Sequence, residues 1–208
     1  MPSGNEAPPT LALLDEHGPL LGRAPVNVQR VAAIYQALLN EITPGWQQDP
    51  HMADTPARAA KFWREFIDYD PGKSATTFPV TQADQLVAVT NIETWSLCAH
   101  HLLPFSARIS VGYIATARVL GLSKFSRLAH FASHRPTSQE ALAETLANLI
   151  QEATGTEHVA VQATGQHLCM SMRGVQEQSA RMTTSVLRGS FREDQSVREE
   201  WLAILNKA

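Results

Sequence analysis

Two short segments of the chain hold the residues best suited to bind a metal ion. Cys98 and His101 lie three positions apart after a predicted strand, and Cys169 follows much later in the chain. Two thiolates and one imidazole leave a fourth tetrahedral position for water, which is typical of a catalytic zinc site. Water bound there has a pKa near neutrality and can attack an electrophilic carbon. From spacing alone, a disulfide or two inert buried thiols remain the alternatives.

A further histidine lies close to each cysteine. His100 directly precedes His101, and His167 lies two residues before Cys169. An imidazole changes its charge near working pH, so these two side chains suit general acid-base catalysis. The alternative is that each histidine only forms a hydrogen bond with a neighbouring residue.

Two pairs of cationic residues stand near predicted helix starts, at Thr55-Pro56 and at Ser123, where Thr55 and Ser123 are the predicted N-caps. Side chains three apart share a helix face, and a helix N-terminus attracts anions, so the pairs indicate an anionic ligand such as a polyphosphate. Arg173 would add a planar, bidentate phosphate contact. Solvated surface charge is the alternative for each pair. The pairs are Arg58 with Lys61, and Lys124 with Arg127.

Glu140 has two interpretations. With Thr137 it matches a capping box at the start of a helix. A buried carboxylate at this place would instead accept two N–H donors from the edge of a purine or pterin. The spacing does not decide between the two.

Composition excludes several classes of protein. The 208 residues carry 17 Lys and Arg against 20 Asp and Glu, a formal net charge of −3, so a general nucleic-acid surface is disfavoured. Two cysteines exclude a disulfide-rich secreted scaffold. There is no apolar run of about 18 residues and no secretory signal pattern. We therefore expect a cytoplasmic protein with neither a nucleic-acid nor a membrane partner.

The order of the predicted elements indicates an α+β fold whose strands pair mainly through antiparallel hairpins. Helices are predicted over 28–42, 55–67, 123–134, 137–154 and 193–205, and strands over 85–97, 105–114, 159–164 and 182–191. Five of the twelve prolines fall within the first 25 residues. We accordingly predict a flexible N-terminal arm over 1–26, a helical region over 27–75 and the catalytic domain over 76–208.

Several separate motifs are similar, in the right order, to those of the GTP cyclohydrolase I family, and the resemblance runs from about residue 54 to 205. They are DTPAR at 54–58, LCAHHLLPF at 97–105, GLSK at 121–124, HLCMSMRGV at 167–175 and FRED at 191–194.

The resemblance implies a tunnelling fold (T-fold), an α+β unit whose antiparallel sheets close into a barrel only across subunits. It also implies a homodecamer of two pentameric rings. The implied reaction converts GTP and water to 7,8-dihydroneopterin triphosphate and formate, the first step towards folate and other pterins.

The resemblance also implies roles for individual residues. Zn²⁺ would be bound by Cys98, His101 and Cys169. His100 would protonate the imidazole-ring nitrogen of the purine, and His167 would assist ring opening and the sugar rearrangement. The implied substrate contacts are Gln139 and Glu140 to guanine, Ser123, Lys124, Arg127 and Arg173 to triphosphate or ribose, and Arg58 and Lys61 from a neighbouring subunit.

The chain departs from the family pattern at Ala99, where the family usually has Glu, and at Gln166, where an acidic residue is common. These departures favour two alternatives. One is a specialised paralogue that makes the same product for a 7-deazapurine or another pterin-derived pathway. The other is a relative that binds GTP without turnover. Related T-fold enzymes would need a three-histidine zinc site or a nucleophilic cysteine with NADPH contacts, and neither pattern is present.

Overall fold

The structure, a computed structural model, describes residues 25–74 and 76–207. Contacts divide the described chain after Asp70 into two units, whereas the sequence suggested a boundary between 75 and 76. Residues 1–24 of the predicted arm lie outside the described residues.

The first unit is built from two helices, α1 (Val28–Ile42) and α2 (Thr55–Ile67), with a short 3₁₀ turn between them. The side chain of Asn27 caps α1 by accepting a hydrogen bond from the backbone N–H of Arg30. The helices are joined by the indole of Trp63, which donates to the hydroxyl of Tyr35 at 2.7 Å.

The second unit holds a five-stranded sheet in the order β5-β2-β3-β6-β7 and a small sheet in which β1 pairs with β4. All neighbouring strands run antiparallel except the short parallel pair of β2 and β5. The strands are β1 (Thr77–Pro79), β2 (Gln85–Cys98), β3 (Pro104–Ala115), β4 (Arg118–Leu120), β5 (Pro136–Thr137), β6 (Val159–His167) and β7 (Met182–Leu187).

Helices cover the sheet, and helices and strands both contribute to the apolar core. In the second unit α4 packs on β6 and β7, and α3 packs on β2. A separate cluster forms around Trp201 and Phe191, where the C-terminal helix packs. The helices are α3 (Leu122–Ser133), α4 (Gln139–Thr154), α5 (Leu168–Ser171), α6 (Ser190–Glu193) and α7 (Gln195–Lys207).

A β-bulge interrupts the long hairpin of β2 and β3. The pairing passes from Val89 opposite Val111 to Ile92 opposite Ile109, so β2 has one residue more than β3 in this interval. Asn91, within the bulge, has a left-handed backbone with φ of 60°.

The bulge changes the side of the sheet on which even-numbered residues of β2 lie. Ala88 packs against the Trp201 cluster. Beyond the bulge Ser96 pairs with Phe105, a fully buried residue, and by alternation Cys98 lies on that same buried side. The strand therefore delivers Cys98 to the core side at its end.

The expected α+β class and antiparallel sheet are confirmed, and every predicted helix and strand has a counterpart. Closure of a barrel across subunits involves several chains and stays a prediction. Three predicted helix caps were wrong, because a hydroxyl near a helix start does not by itself fix the first helical residue. The N-caps are Asp54 in place of Thr55, Gly121 in place of Ser123, and Ser138 in place of Thr137.

The predicted strand over 182–191 was too long. The strand ends at Leu187 because Gly189 adopts φ of 52° and ψ of −133°, and the chain then turns into α6. Among the helices of 25–74 and 76–207, none combines the length and the apolar character needed to span a bilayer.

Candidate metal and catalytic site

A tight turn at the end of β2 presents the first two cluster residues. The backbone N–H of Leu102 donates to the carbonyl of Cys98 at 2.8 Å, and that of Cys98 donates to the carbonyl of Leu103 at 2.9 Å. Leu102 has φ of 54°, so it ends the turn in the left-handed region. His101 is thus folded back within one turn of Cys98.

The third cluster residue follows the end of β6. His167 is the last residue of that strand, and its partner on β3 is Phe105. The short helix α5 begins directly afterwards and carries Cys169. The β3–β6 register therefore brings the 167–169 segment beside the turn that follows β2.

The ligand atoms of Cys98, His101 and Cys169 all lie within 4.8 Å of one another. Both cysteines are free thiols, so the structure shows no disulfide between them. Two thiols and one imidazole at this spacing match the nitrogen and sulfur donors that Zn²⁺ prefers, with a tetrahedral position left for water. The donor set therefore fits a catalytic zinc ion.

The environment of Cys169 opposes its ionisation when no metal is bound. Burial raises the pKa of the Cys169 thiol, and the hydrogen bond and charge of Cys98 raise it further. The Arg173 guanidinium acts in the opposite direction on this pKa. A cation that binds both sulfurs would relieve the unfavourable interaction between them.

Arg173 contacts the cluster directly. Its Nη1 lies 2.9 Å from Nε2 of His101. A guanidinium can only donate, so Nε2 of His101 must be the acceptor. The sequence suggested a phosphate contact for Arg173 but gave no sign of this contact across the site.

His100 lies at the edge of the cluster with an exposed side chain. Its Nδ1 is 3.6 Å from Sγ of Cys98, and its ring centroid is 6.3 Å from that of His101. An acid-base group in this position can exchange protons with a substrate held over the cluster.

His167 is held more tightly than His100. Its ring stacks on Phe105 with centroids 4.4 Å apart and planes 8° from parallel. Its Nε2 lies 3.0 Å from Oε1 of Gln139, the first residue of α4. The sequence predicted a role for His167 but not its contacts with Phe105 and Gln139. The signal available in the sequence was Gly165, because a glycine inside a strand often marks a close approach of another group.

The two neighbouring residues proposed to read guanine differ sharply in exposure. Gln139 is fully buried, whereas the side chain of Glu140 is exposed. Ser138, and not Thr137, caps α4, so the capping-box interpretation of Glu140 was wrong. Burial lowers the pKa of His167, and the charge of the Glu140 carboxylate raises it in part. The Glu140 carboxylate therefore acts electrostatically on the imidazole of His167.

Lys124 and Arg127 bind backbone carbonyls of the segment that precedes β1. Nζ of Lys124 donates to the carbonyl of Lys73, and Nη1 of Arg127 donates to the carbonyl of Pro71, each at 2.5 Å. Ser123 lies exposed in the first turn of the same helix, α3. The two cations therefore have neutral acceptors in this structure.

Arg58 and Lys61 belong to the other unit. Arg58 donates to the carbonyl of His51 at 2.7 Å and pairs with Asp54 at 3.9 Å. Lys61 pairs with Glu65 at 3.6 Å. Both side chains remain largely exposed, and a contact with substrate from a neighbouring subunit stays a prediction.

Comparison with known proteins gives one family. A family model described as GTP cyclohydrolase I matches residues 30–206. A relative named GTP cyclohydrolase 1, from Alkalilimnicola ehrlichii, is 40% identical over 185 residues, which cover 85% of this chain and 97% of that protein. A relative of the same name from Pseudoalteromonas atlantica is 40% identical over 160 residues, covering 75% of this chain and 87% of its own. A solved structure of the archaeosine synthase QueF-Like in the apo form aligns with a TM-score of 0.43 and 19% identity over 52% of this chain and 97% of that chain.

Proposed function

The chain belongs to the GTP cyclohydrolase I family, and on this premise we propose that it hydrolyses GTP to 7,8-dihydroneopterin triphosphate and formate. The observation that carries the proposal is the cluster of Cys98, His101 and Cys169 with His100 and His167 close by. The reaction would supply folate and other pterins. The free thiols suit a reducing cytoplasm.

We propose Zn²⁺ as the ion held by Cys98, His101 and Cys169. When bound, it would lower the pKa of a water molecule so that hydroxide is available near neutral pH. When His101 binds the metal it must lose its hydrogen bond with Arg173, because a neutral imidazole has only one ring lone pair. The two thiols must lose their protons, which makes metal affinity rise with pH.

The two remaining histidines are proposed to move protons. His100 would donate a proton to the imidazole-ring nitrogen of the purine as the ring opens. His167 would assist ring opening and the sugar rearrangement. The exposed edge position of His100 and the half-buried, stacked position of His167 support this division of roles.

Substrate would be held by placed charges, because the chain has a net charge of −3. Glu140 would accept the N–H donors of guanine, with Gln139 beside it. The proposed triphosphate and ribose contacts are Ser123, Lys124, Arg127 and Arg173, with Arg58 and Lys61 from a neighbouring subunit of a homodecamer.

Lys124 and Arg127 would change partners on binding. Each now donates to a neutral backbone carbonyl. A phosphate oxygen carries charge and forms the stronger hydrogen bond with a cation. The segment 71–73 would then be released as the triphosphate enters.

The central experiment measures formate release from GTP by metal-loaded and chelator-treated protein. We expect formate, and a product that becomes fluorescent after oxidation, only from the metal-loaded sample. The bound metal is identified by elemental analysis of the same sample. If the loaded protein released neither formate nor the fluorescent product, the proposed reaction would be excluded.

The role of His100 is tested with His100→Ser. The variant should keep metal content and GTP binding, because His100 is not one of the three ligands, but lose turnover by about 100-fold or more. Turnover at the wild-type rate would rule out His100 as the acid.

One observation favours a second candidate, a relative that binds GTP without turnover. Ala99 lies exposed between Cys98 and His100, where the family usually has Glu, so a carboxylate beside the ligands is missing. This candidate predicts GTP binding without formate release, and Ala99→Glu should then restore turnover.

A specialised paralogue would give the same products as the main proposal. A strain without the gene separates these pathways, since it would lose either a pterin or a 7-deazapurine.

A further inference from the structure

We propose that Gln139 is a positioning residue that holds the imidazole of His167 as the tautomer protonated on Nε2, so that Nδ1 carries the lone pair that acts on substrate. The contact joins the first residue of α4 to the last residue of β6. The catalytic part of this inference rests on the proposed GTP hydrolysis, whereas the tautomer itself does not.

The amide nitrogen of Gln139 is surrounded by acceptors. Nε2 lies 3.0 Å from the carbonyl of Ala163, 3.0 Å from that of Met182 and 3.2 Å from Oγ1 of Thr184. Gln139 is fully buried. If the amide were rotated by half a turn, its oxygen would face the two carbonyl oxygens, and both groups can only accept, so the orientation is fixed.

The fixed amide determines the protonation of the histidine. Oε1 of Gln139 can only accept, and it lies 3.0 Å from Nε2 of His167. Nε2 must therefore carry a hydrogen, and a neutral ring then has its lone pair on Nδ1. The ring of Phe105 stacks on the imidazole with centroids 4.4 Å apart, and it therefore opposes rotation of the imidazole about the Cβ–Cγ bond.

The strand beside the amide is shaped to admit it. A Cβ placed on Gly165 would collide with Oε1 of Gln139 and lie 2.7 Å from the carbonyl oxygen of Ser106. A side chain at position 165 would therefore occupy the space of the Gln139 amide. Gly165 is part of the same arrangement, although it has no side chain of its own.

This arrangement separates Gln139 from Glu140. Both ends of the Gln139 amide are already bonded within the protein, so a contact with guanine would have to break a buried hydrogen bond. Glu140 is exposed and remains available for the base. Of Gln139 and Glu140, only Gln139 forms a hydrogen bond with His167 in the described part of the chain.

The kinetic test uses Gln139→Met, which keeps the length of the side chain and removes its hydrogen bonds. We expect kcat to fall about tenfold to a hundredfold, the range typical when a partner that orients a functional histidine is lost, with KM for GTP within about twofold of wild type. Thr184→Ala is the matched control, because it removes one acceptor of the amide and leaves the bond to His167; it should retain kcat. A raised KM with kcat retained would overturn the proposal and indicate a guanine contact.

A double-mutant cycle tests the coupling. If Gln139 acts through His167, then adding Gln139→Met to His167→Ala should change kcat by less than about twofold. An undiminished further loss in that background would mean that Gln139 acts on substrate by another route, and would overturn the proposal.

A measurement on the wild-type protein covers the case in which Gln139→Met fails to fold. In protein labelled with ¹⁵N-histidine, the ring nitrogen shifts of His167, assigned by comparison with His167→Ala, should show a neutral ring protonated on Nε2 at alkaline pH. A ring protonated on Nδ1 would overturn the proposal. This result does not depend on turnover, so an enzyme that released no formate would refute the proposed function and still leave the tautomer measured.

Discussion

At the scale of single residues, the contact between Arg173 and His101 links metal binding to anion binding. Arg173 donates to Nε2 of His101. If the metal binds Nε2, it displaces the guanidinium. If the metal binds Nδ1, then Nε2 carries a hydrogen and can no longer accept a hydrogen bond from arginine. In both cases metal binding frees Arg173 beside Cys169, where we propose that it binds phosphate.

Zinc loading should therefore strengthen the binding of inorganic triphosphate more in wild type than in Arg173→Gln. Loading adds positive charge in both proteins, but it releases a guanidinium only in wild type, and we expect about a tenfold larger gain there. Calorimetry on metal-free and loaded protein, with bound zinc measured before and after, gives the two gains.

Arg181→Gln is the matched control, because Arg181 binds backbone carbonyls in the same loop and should behave as wild type. Equal gains in wild type and Arg173→Gln would contradict the link.

The predictable part of the site is the part set by residue type. Cysteine and histidine are among the few side chains that bind Zn²⁺, so residue type indicated a metal site, while spacing alone left a disulfide or two inert thiols open and the resemblance implied the full ligand set. The contact of Gln139 with His167 was not predictable, because it depends on where α4 begins and on the β3–β6 register, both set by tertiary packing. Arg173 was proposed for phosphate from its type, but its contact with His101 crosses 72 positions of sequence.

At the scale of elements, two glycines allow close packing on opposite parts of the sheet. Gly165 on β6 makes room for the Gln139 amide, and Gly112 on β3 makes room for Trp201, whose Cζ3 would lie 2.8 Å from an added Cβ. Both positions are therefore sensitive to any side chain, but only Gly165 contacts the proposed catalytic machinery.

Gly165→Ala and Gly112→Ala should each lower the free energy of unfolding, by about 1–3 kcal/mol for overpacking. Only Gly165→Ala should also lower kcat in the folded protein, because it displaces the support of His167. Urea unfolding and formate release measure the two effects. An equal loss of kcat in Gly112→Ala would indicate a general effect of instability.

The end of α3 should make stability depend on pH. Burial lowers the pKa of both His130 and His134; for His134, a hydrogen bond to the backbone of His130 acts in the opposite direction and the charge of His130 lowers the pKa further. Below the ordinary histidine pKa of 6.5 the unfolded chain binds more protons than the folded one, so the free energy of unfolding falls as pH falls. The loss continues until the folded protein is protonated as well.

We expect urea midpoints of the metal-free protein, at fixed protein concentration, to decrease from pH 7.5 to pH 5.5. The decrease should be smaller in His134→Gln, which removes one of the two groups. An identical decrease in wild type and variant would contradict the assignment to this helix end.

Element types were more predictable than element ends. The strand over 85–97 was predicted from its content of Val, Ile, Thr and Trp, and the strand over 105–114 from its apolar alternation. They were found as a hairpin over Gln85–Cys98 and Pro104–Ala115. The predicted bounds of α1 and α2 were confirmed, whereas the starts of α3, α4 and α7 were misplaced by one or two residues, because several polar residues near each start were compatible with capping. The bulge at Asn91 was not predicted, since only packing on both faces of the sheet reveals an extra residue.

At the scale of the whole molecule, α1 presents an apolar face to solvent in the single chain. Ile34, Leu38 and Ile42 recur every four residues and are 65%, 47% and 64% exposed. Such a stripe is costly to leave in water and is typical of a surface covered by another chain. It agrees with the homodecamer that we propose.

Leu38→Lys should reduce the mass of the assembly measured by light scattering, because a charge would then be buried between chains. Gln36→Lys adds the same charge on another face of α1 and should leave the mass unchanged. Wild-type protein that has the mass of one chain at micromolar concentration would contradict the proposed oligomer.

The bulge in β2 gives this strand one spare residue, and this affects which changes in length it can survive. If Asn91 were deleted, Val89 could still face Val111 and Ile92 could still face Ile109, so Cys98 would keep its side of the sheet and a left-handed residue would be lost. If Thr94 were deleted, the strand could keep Cys98 in place only by straightening at position 91 and turning the buried Ile92 to the other face. Natural and laboratory variants that are one residue shorter in β2 should therefore lose that residue at the bulge, where a deletion has little effect on the metal ligands.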